Sequence, residues 1–462
     1  MMRRIVRPIV WVRGLGFLVA FWVTSQFVST APPSMELASE APTQVARAQT
    51  APPAGDAAPK KGSGVTGEPI VGVRLESGPT SLVLRSESGR FLLEGPGKPR
   101  EDGKGLSTIS ETVAADELRL THERIDGGGM AFFVRDPKAA KGKKPYGFRD
   151  GMPFRIRAKG VRATGLNDRS YEGWLEFVFV RSGEGDGTWK LVNRLPMERY
   201  IAGVLPGEMQ VRSELAALEA QAIACRTYAL YQIFQAAPTA RIHLEASVMS
   251  QVYKGAHNYD KVEEAVANTR GYVMFHQGRV FQAYFHATCG GATASGASIF
   301  GAPEIQTLSA VPCTYCRDMK LTRDGWTAVA SETEIHRAIL AAAQLKGAKL
   351  DLKRPIRSIE PVAIQRGGKH SAYLRVTHGG GSFEIDTTLF RLRLTRDGSL
   401  VLKSTAFEVE RAGDRFRFTG WGHGHGVGMC QNGAREMARS RNVDAIQIVK
   451  YYYRGAEVVK VW

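Results

Sequence analysis

An α+β fold is predicted for this chain by three features of its sequence. Residues 70–191 read mostly as strand, residues 196–235 read mostly as helix, and shorter strand and helix runs follow without regular alternation. Regular alternation would have marked a doubly wound sheet; its lack points to strands and helices that segregate. The expected architecture is a β-rich N-terminal part and a mixed α/β core, with one long buried helix after a candidate glutamate. The 462 residues suit two or three domains, each able to bury a core. We place the segment bounds at 1–31, 32–67, 68–190 and 191–462. With 43% hydrophobic and 23% charged residues, the composition argues against wholesale disorder and against a polytopic membrane protein.

The N-terminal residues speak to location. Arg3, Arg4, Arg7 and Arg13 precede an apolar run from Leu15 to Val28, and small residues at Ser29-Thr30-Ala31 come before Pro32-Pro33. Residues 1–31 therefore read as a signal peptide or an uncleaved N-terminal anchor. Residues 32–67 hold hardly a large apolar side chain, too few to offset the entropy of ordering, and read as a tether. The expected location is the periplasm or cell envelope, with the inner membrane touched only through the N-terminal segment. Lys and Arg number 62 against 45 Asp and Glu, a net charge of +17. That excess favours polyanionic partners. Export turns the expectation away from nucleic acid and towards acidic cell-wall polymer.

The elements follow in order. Ile70–Leu75 is β-branched, and Ser81–Arg85 and Arg90–Leu93 flank a turn at Glu87-Ser88-Gly89, as a hairpin would. The lysines from Lys138 to Lys144 read as a solvated loop. Tyr171–Val180 alternates Leu175, Phe177 and Phe179 with Trp174, Glu176 and Val178, so both of its faces should be covered. Pro196 opens a helix that Pro206-Gly207 should stop or kink. Ser213 reads as the N-cap of the next helix, where Leu215, Leu218, Ala222, Cys225 and Ala229 recur at helical spacing. Shorter helices are expected at Tyr259–Asn268 and Thr333–Gln344. Strands are expected at Tyr272–Phe275, Val280–His286, Leu374–Thr377, Phe383–Ile385 and Phe416–Thr419, before a closing helix over Gln431–Arg439.

Three stretches carry chemistry. His286-x-x-Cys289 and Cys313-x-x-Cys316 are two chelating pairs separated by a loop, the pattern of a closed tetrahedral zinc site. A Cys313–Cys316 redox pair or a Cys289–Cys313 crosslink stays open outside the cytoplasm. Cys225, on the apolar helix face, reads as a small core residue. In Gly420–Gly428 five glycines in nine residues suit a cleft wall, and His423 and His425 would point the same way on extended chain. Glycan contact, active-site orientation, metal binding and a structural role are all open to these two histidines. Third, Glu208 sits among apolar residues and glycine, where its charged form is disfavoured. A general acid and a helix-end glutamate both remain open on spacing alone. Glu198, Glu219 and Asp260 are fallback carboxylates, read more simply as exposed or capping residues.

Seven stretches in this order resemble the stage II sporulation protein D (SpoIID/LytB) family. They are Tyr171–Gly173, Val192–Ile201, Gly203-Val204-Leu205-Pro206-Gly207-Glu208-Met209, Leu218–Ala229, Ser250–Gly255, Tyr284–Gly291 and Gly422–Ala434. Coverage is firm over residues 171–462 and weaker over 70–170. The resemblance implies a lytic transglycosylase acting on peptidoglycan, with Glu208 at the catalytic position. It also implies zinc held near the cleft by His286, Cys289, Cys313 and Cys316. Substrate contacts are implied for Arg226, Tyr228, Gln251, Tyr253, His423, His425 and Gln431. The partners implied are glycan strands and, under the family's "amidase enhancer" name, a cell-wall amidase that a non-catalytic wall-binding protein would stimulate. Cys430 and Asn432 depart from the family's usual Ser and Tyr, and Cys225 from its usual Ala.

Overall fold

Inward aromatic side chains decide how the N-terminal strands pack. The computed structural model describes residues 67–462, except 100–105, 127, 159–162, 167–168, 182–186, 249, 348–349, 351, 353 and 365–367. The segment expected to be a signal peptide or anchor, and the expected tether up to residue 66, lie outside the described residues. The strands Leu244–Glu245, Ile70–Ser77, Gly187–Pro196, Trp174–Arg181, Phe154–Ala158, Arg90–Pro99 and Leu106–Ala114 form one seven-stranded sheet in that order. A six-stranded sheet is built around Ser81–Ser86, Glu117–Arg124 and Met130–Arg135. Phe132 of the second sheet meets Phe177 and Trp189 of the first at 5.3 and 5.2 Å between ring centroids. Phe154 stacks between Phe148 and Phe177 at 4.3 and 4.4 Å. The two sheets thus share one aromatic core.

The expected hairpin at residues 81–93 is not one. Ser81–Ser86 pairs with Glu117–Arg124, whereas Arg90–Pro99 pairs with Leu106–Ala114 and Phe154–Ala158. The turn at Glu87–Gly89 carries the chain from one sheet to the other, so Leu82 and Leu84 face Phe91 and Leu93 across the core. Trp174–Arg181 has both faces covered, but by different chemistry. Leu175 and Phe177 are buried in the core, while buried Glu176 on the other face is met by Arg241 at 3.2 Å and by Arg194 and Arg155. Lys138–Lys144 is a loop with exposed lysines.

The larger hydrophobic core continues without a break from Trp189 and Leu191 into the helical section. The Leu215–Gln235 helix is buried almost all round from Ala217 to Leu230, as its wide apolar surface requires. Its N-cap is Glu214, one residue later than expected, and among the described residues the hydroxyl of buried Ser213 has no partner. The Asp260–Asn268 helix packs beside it, and the C-terminal strand Glu457–Lys460 pairs with Tyr272–His276. Only Arg279–Val280 and Phe285–His286 are strand in the run expected to be extended throughout. A second hydrophobic cluster gathers Trp326, Ile335, Ile339, Leu374, Phe390, Phe407 and Phe418. Around it lie two three-stranded sheets and the helices Glu332–Leu345 and Thr387–Arg393. Ser331 and Glu334 close a reciprocal capping box at the first helix, and the Asp386 carboxylate accepts from the Leu389 N–H at the second. This strand and helix mixture is an α+β fold.

Candidate active site

Pro206 does not stop the first core helix, which runs Met197–Glu208 and ends on the candidate glutamate. A proline here removes the N–H that would bond the Ala202 carbonyl. His257 Nε2 meets that carbonyl at 2.5 Å instead, so the helix continues. At Gly207 a Cβ would lie 2.1 Å from the Val252 carbonyl oxygen, so only glycine lets residues 250–252 lie against the helix end. That approach delivers the Val252 N–H to Glu208 Oε1 at 2.6 Å.

Glu208 opens onto a cleft of about 360 Å³. Its walls come from Tyr228 of the long helix, the Tyr284–Ala287 segment, Thr388–Leu392 of the Thr387–Arg393 helix, His423–His425, and Gln431. Among the described residues lining the cleft, Glu208 is the sole carboxylate. Burial raises its pKa above the ordinary carboxylate range, opposed in part by the Val252 N–H and by a hydrogen bond with the Gln431 side chain. Its position at the negative end of a helix dipole works in the same direction as burial.

The glycine-rich stretch forms the opposite wall. Met429–Cys430 runs parallel to Phe285–His286, and Gly428 (φ +72°) brings its Cα so close that a Cβ would lie 1.9 Å from the Tyr284 carbonyl oxygen. His286 Nδ1 donates to the Val427 carbonyl at 3.0 Å, leaving Nε2 as an acceptor. That nitrogen is buried without a partner among the described residues, as is the Tyr284 hydroxyl. His425 Nδ1 accepts from the Val427 N–H at 3.1 Å, so its Nε2 carries the proton. Burial, then His370, lowers the His286 pKa to about 3; burial, then His286 and Arg391, holds His425 well below the usual imidazole range. Both rings are neutral at neutral pH.

Of the residues expected to contact substrate, Tyr228, His423, His425 and Gln431 line this cleft with Glu208. Arg226, Gln251 and Tyr253 are placed in the packing behind it. Tyr253 donates to Asn193 at 2.7 Å, and Gln251 accepts from Tyr200 at 2.8 Å. Arg226 is fully buried and pairs with Glu198 at 2.7 Å. Glu198 is neither exposed nor a cap: its carboxylate also accepts from the Gly271 N–H and from Trp462 Nε1, both at 3.0 Å. Arg226→Met, which strands that carboxylate, is expected to destabilise the protein by about 3–5 kcal/mol in urea unfolding. A loss below about 1 kcal/mol would show that the pair is not holding this corner.

The cysteines assemble differently from the expected set. Cys289, Cys313 and Cys316 are joined by Cys430, with all four Sγ atoms within 4.8 Å of one another. All four are buried and none is in a disulfide. His286, placed in the set by its spacing, turns into the cleft instead, because its Nδ1 is claimed by the Val427 carbonyl. Four buried cysteines thus lie close enough to bind one metal ion. The Sγ pairs Cys289–Cys316 and Cys313–Cys316 are 3.2 and 3.7 Å apart. Thiolates at about 2.3 Å from one tetrahedral zinc would stand roughly 3.8 Å apart, so the donor set fits. Gly433 N and Cys289 N reach Cys430 Sγ at 3.3 and 3.4 Å, and the Tyr452 hydroxyl meets Cys313 Sγ at 3.2 Å. Outer contacts of this kind orient ligands. Cys225, fully buried on the long helix, stands apart from the cluster.

Two features escaped the sequence reading. Cys430 stands outside the x-x spacing on which the ligand set rests, yet with Cys225 set aside the other four of the five cysteines are the ones the structure gathers. Arg391 lines the cleft from a helix that the sequence did not suggest; Asp386 at its N-cap was the available signal.

A family model described as stage II sporulation protein matches residues 185–276. An uncharacterized protein of Brachyspira hyodysenteriae is 32% identical over 295 residues, covering 64% of this chain and 73% of that protein. Stage II sporulation protein D of Bacillus subtilis is 28% identical, covering 58% of this chain and 75% of its own. The amidase enhancer of the same organism is 28% identical over 55% of this chain but only 39% of its own length. The chain belongs to the stage II sporulation protein D (SpoIID/LytB) family.

Proposed function

We propose that this protein is an exported lytic transglycosylase that cleaves peptidoglycan glycan strands, with Glu208 as both acid and base. A cell-wall-related function is supported by the family and by the names of its relatives. One observation carries the finer reading: among the described residues a single, largely desolvated carboxylate lines the cleft. Hydrolytic glycosidases use two carboxyl groups, one of them to act as nucleophile or to activate water. A transglycosylase needs one. Protonated Glu208 donates to the glycosidic oxygen as the bond to the muramic acid C1 breaks. The resulting carboxylate, held by the Val252 N–H and Gln431, takes the proton of the same sugar's 6-hydroxyl as that oxygen attacks C1. The attack is intramolecular, so proximity replaces a positioned water.

The cysteine cluster would hold zinc through Cys289, Cys313, Cys316 and Cys430. Bound there, the ion would tie the Tyr284–Gly291 segment and the Cys313–Cys316 loop to the start of the Gln431–Arg441 helix, with four thiolate ligands. Among the described residues no helix is long and apolar enough to cross a membrane.

Product ends test this reading. Mass spectrometry of material released from sacculi should find 1,6-anhydro-muramic ends; reducing ends would mean a hydrolase. The similarity to an amidase enhancer favours a second reading, a wall-binding protein that stimulates an amidase without cleaving glycan. Glycan binding without any released product would select it. The pH profile follows from the raised pKa. Glu208 must be protonated to act first, so kcat/KM should fall as pH rises through a value above the usual carboxylate range. A basic limb at the ordinary value of about 4.3 would remove burial from the argument.

A further inference from the structure

We propose that Arg391 forms a carboxylate-binding subsite in the Glu208 cleft, which grips a free carboxylate of the glycan substrate. The proposal rests on the glycan reading for the identity of the ligand and on the following geometry for the site. Arg391 lies on the Thr387–Arg393 helix, lines the cleft, and is only 7% exposed. Nε and Nη2 donate to the backbone carbonyls of Leu402 and Lys403 at 3.1 and 2.9 Å. Those bonds hold the guanidinium plane but neutralise none of its charge. Among the described residues neither a carboxylate nor any hydrogen-bond acceptor takes Nη1. The contrast with Arg226, equally buried and matched by Glu198, is direct.

A desolvated guanidinium without a counter-charge is costly, and a ligand carboxylate offsets that cost through a charge-assisted hydrogen bond. Among the described residues lining the cleft the one other charged candidate, Glu208, is no competitor, because in the proposed mechanism it starts the reaction protonated. Elsewhere on the same cleft wall, the Nε2 of His286 and the hydroxyl of Tyr284, both without a partner among the described residues, await a polar ligand. Peptidoglycan offers carboxylates from two sources. In peptide-free strands each muramic acid ends its lactyl group in one; in peptide-bearing strands that group is an amide and the carboxylates sit on the stem peptide.

Binding separates this proposal from the cleavage reading. The full chain carrying Glu208→Gln, which cannot turn over, is titrated with peptide-free strands, with peptide-bearing strands, and with peptide-free strands whose carboxylates are reduced to alcohols. At least one carboxylate-bearing strand should bind about tenfold or more tightly than the reduced strand. Adding Arg391→Met should erase that preference, and the strand whose affinity falls most names the source. Arg391→Lys keeps the charge and should retain part of the preference; it serves if the methionine variant misfolds. Equal affinity for all three strands, no binding to any, or a preference that survives both variants would overturn the subsite. A preference that persists while the unmutated protein releases no anhydro ends would overturn the transglycosylase reading and leave the subsite standing.

Discussion

Glu208→Gln is expected to lower the release of 1,6-anhydro ends from sacculi by about 10³-fold or more, while glycan affinity stays within a few-fold. A positioned acid or base is worth roughly 10²–10⁴, and in the proposed mechanism one group serves in both capacities. The amide can neither give a proton to the leaving oxygen nor take one from the 6-hydroxyl. Its Oε1 can still accept the Val252 N–H, so the cleft keeps its shape. Stability supplies an independent readout. The folded pKa is raised, so between the unfolded value and that raised value the native state binds more protons than the unfolded one, and stability falls as pH rises. The charge penalty is complete above the folded pKa and absent below the unfolded one. Glu208→Gln should therefore melt higher than the parent at pH 7 and lose that advantage below about pH 4. Anhydro product within tenfold of the parent would remove Glu208 as the acid. A melting curve lower at pH 7 would show that its carboxylate is stabilising rather than strained by burial.

How far the sequence could be read is clearest at particular residues. The long helix was legible because Leu218, Ala222, Cys225 and Ala229 repeat at its period and the core is continuous around them. The hairpin at residues 81–93 was misread because two strands around a turn have the same local pattern whether they pair or cross between sheets. Only the inward facing of both Leu84 and Phe91 decides it, and that is a tertiary fact. At Pro206-Gly207 the helix ends within a residue of where the pattern predicts, but it passes through Pro206 itself because His257, 51 residues away in sequence, takes the freed Ala202 carbonyl, and no local rule contains that bond. At the site, the glycines and Glu208 could be seen as unusual, yet their meeting depends on the Val252 backbone reaching the helix end. Arg226, Gln251 and Tyr253 share motifs with cleft residues but turn away from the cleft. On a helix, neighbours such as Arg226 and Tyr228 face different directions, and proximity in sequence does not settle which face is wet.

Cys430→Ser is the substitution expected to do most to the metal, and His286→Ala the one that should leave it untouched. The spacing of two x-x pairs would rank them the other way round. In the structure Cys430 Sγ joins the other three thiols, and His286 stands outside the set. The unmutated protein should carry one zinc per chain when its metal content is measured. Serine is nearly isosteric and is itself a good N-cap, so the cap that Cys430 gives to Gly433 N survives and the test isolates the lost thiolate. Outer contacts around a metal already matter 10–100-fold in affinity, so losing a ligand should cost at least ~100-fold. Metal affinity here is folding energy, because the four sulfurs join segments as far apart in sequence as Cys289 and Cys430. Chelation of the parent, or Cys430→Ser, should then lower Tm on the order of 10 °C. His286→Ala should retain the ion and instead change glycan cleavage, since its imidazole lines the cleft. Metal lost from His286→Ala but kept in Cys430→Ser would restore the ligand set that the spacing suggests. A protein free of metal with fewer titratable thiols would replace the zinc by a disulfide, which would have to draw two sulfurs from 3.2 Å or more down to about 2.05 Å. The choice matters for the chemistry, because Gln431, which steadies the Glu208 carboxylate, follows directly on Cys430. Whatever holds that sulfur in place also holds the first turn of the helix from which the glutamine reaches the Glu208 carboxylate.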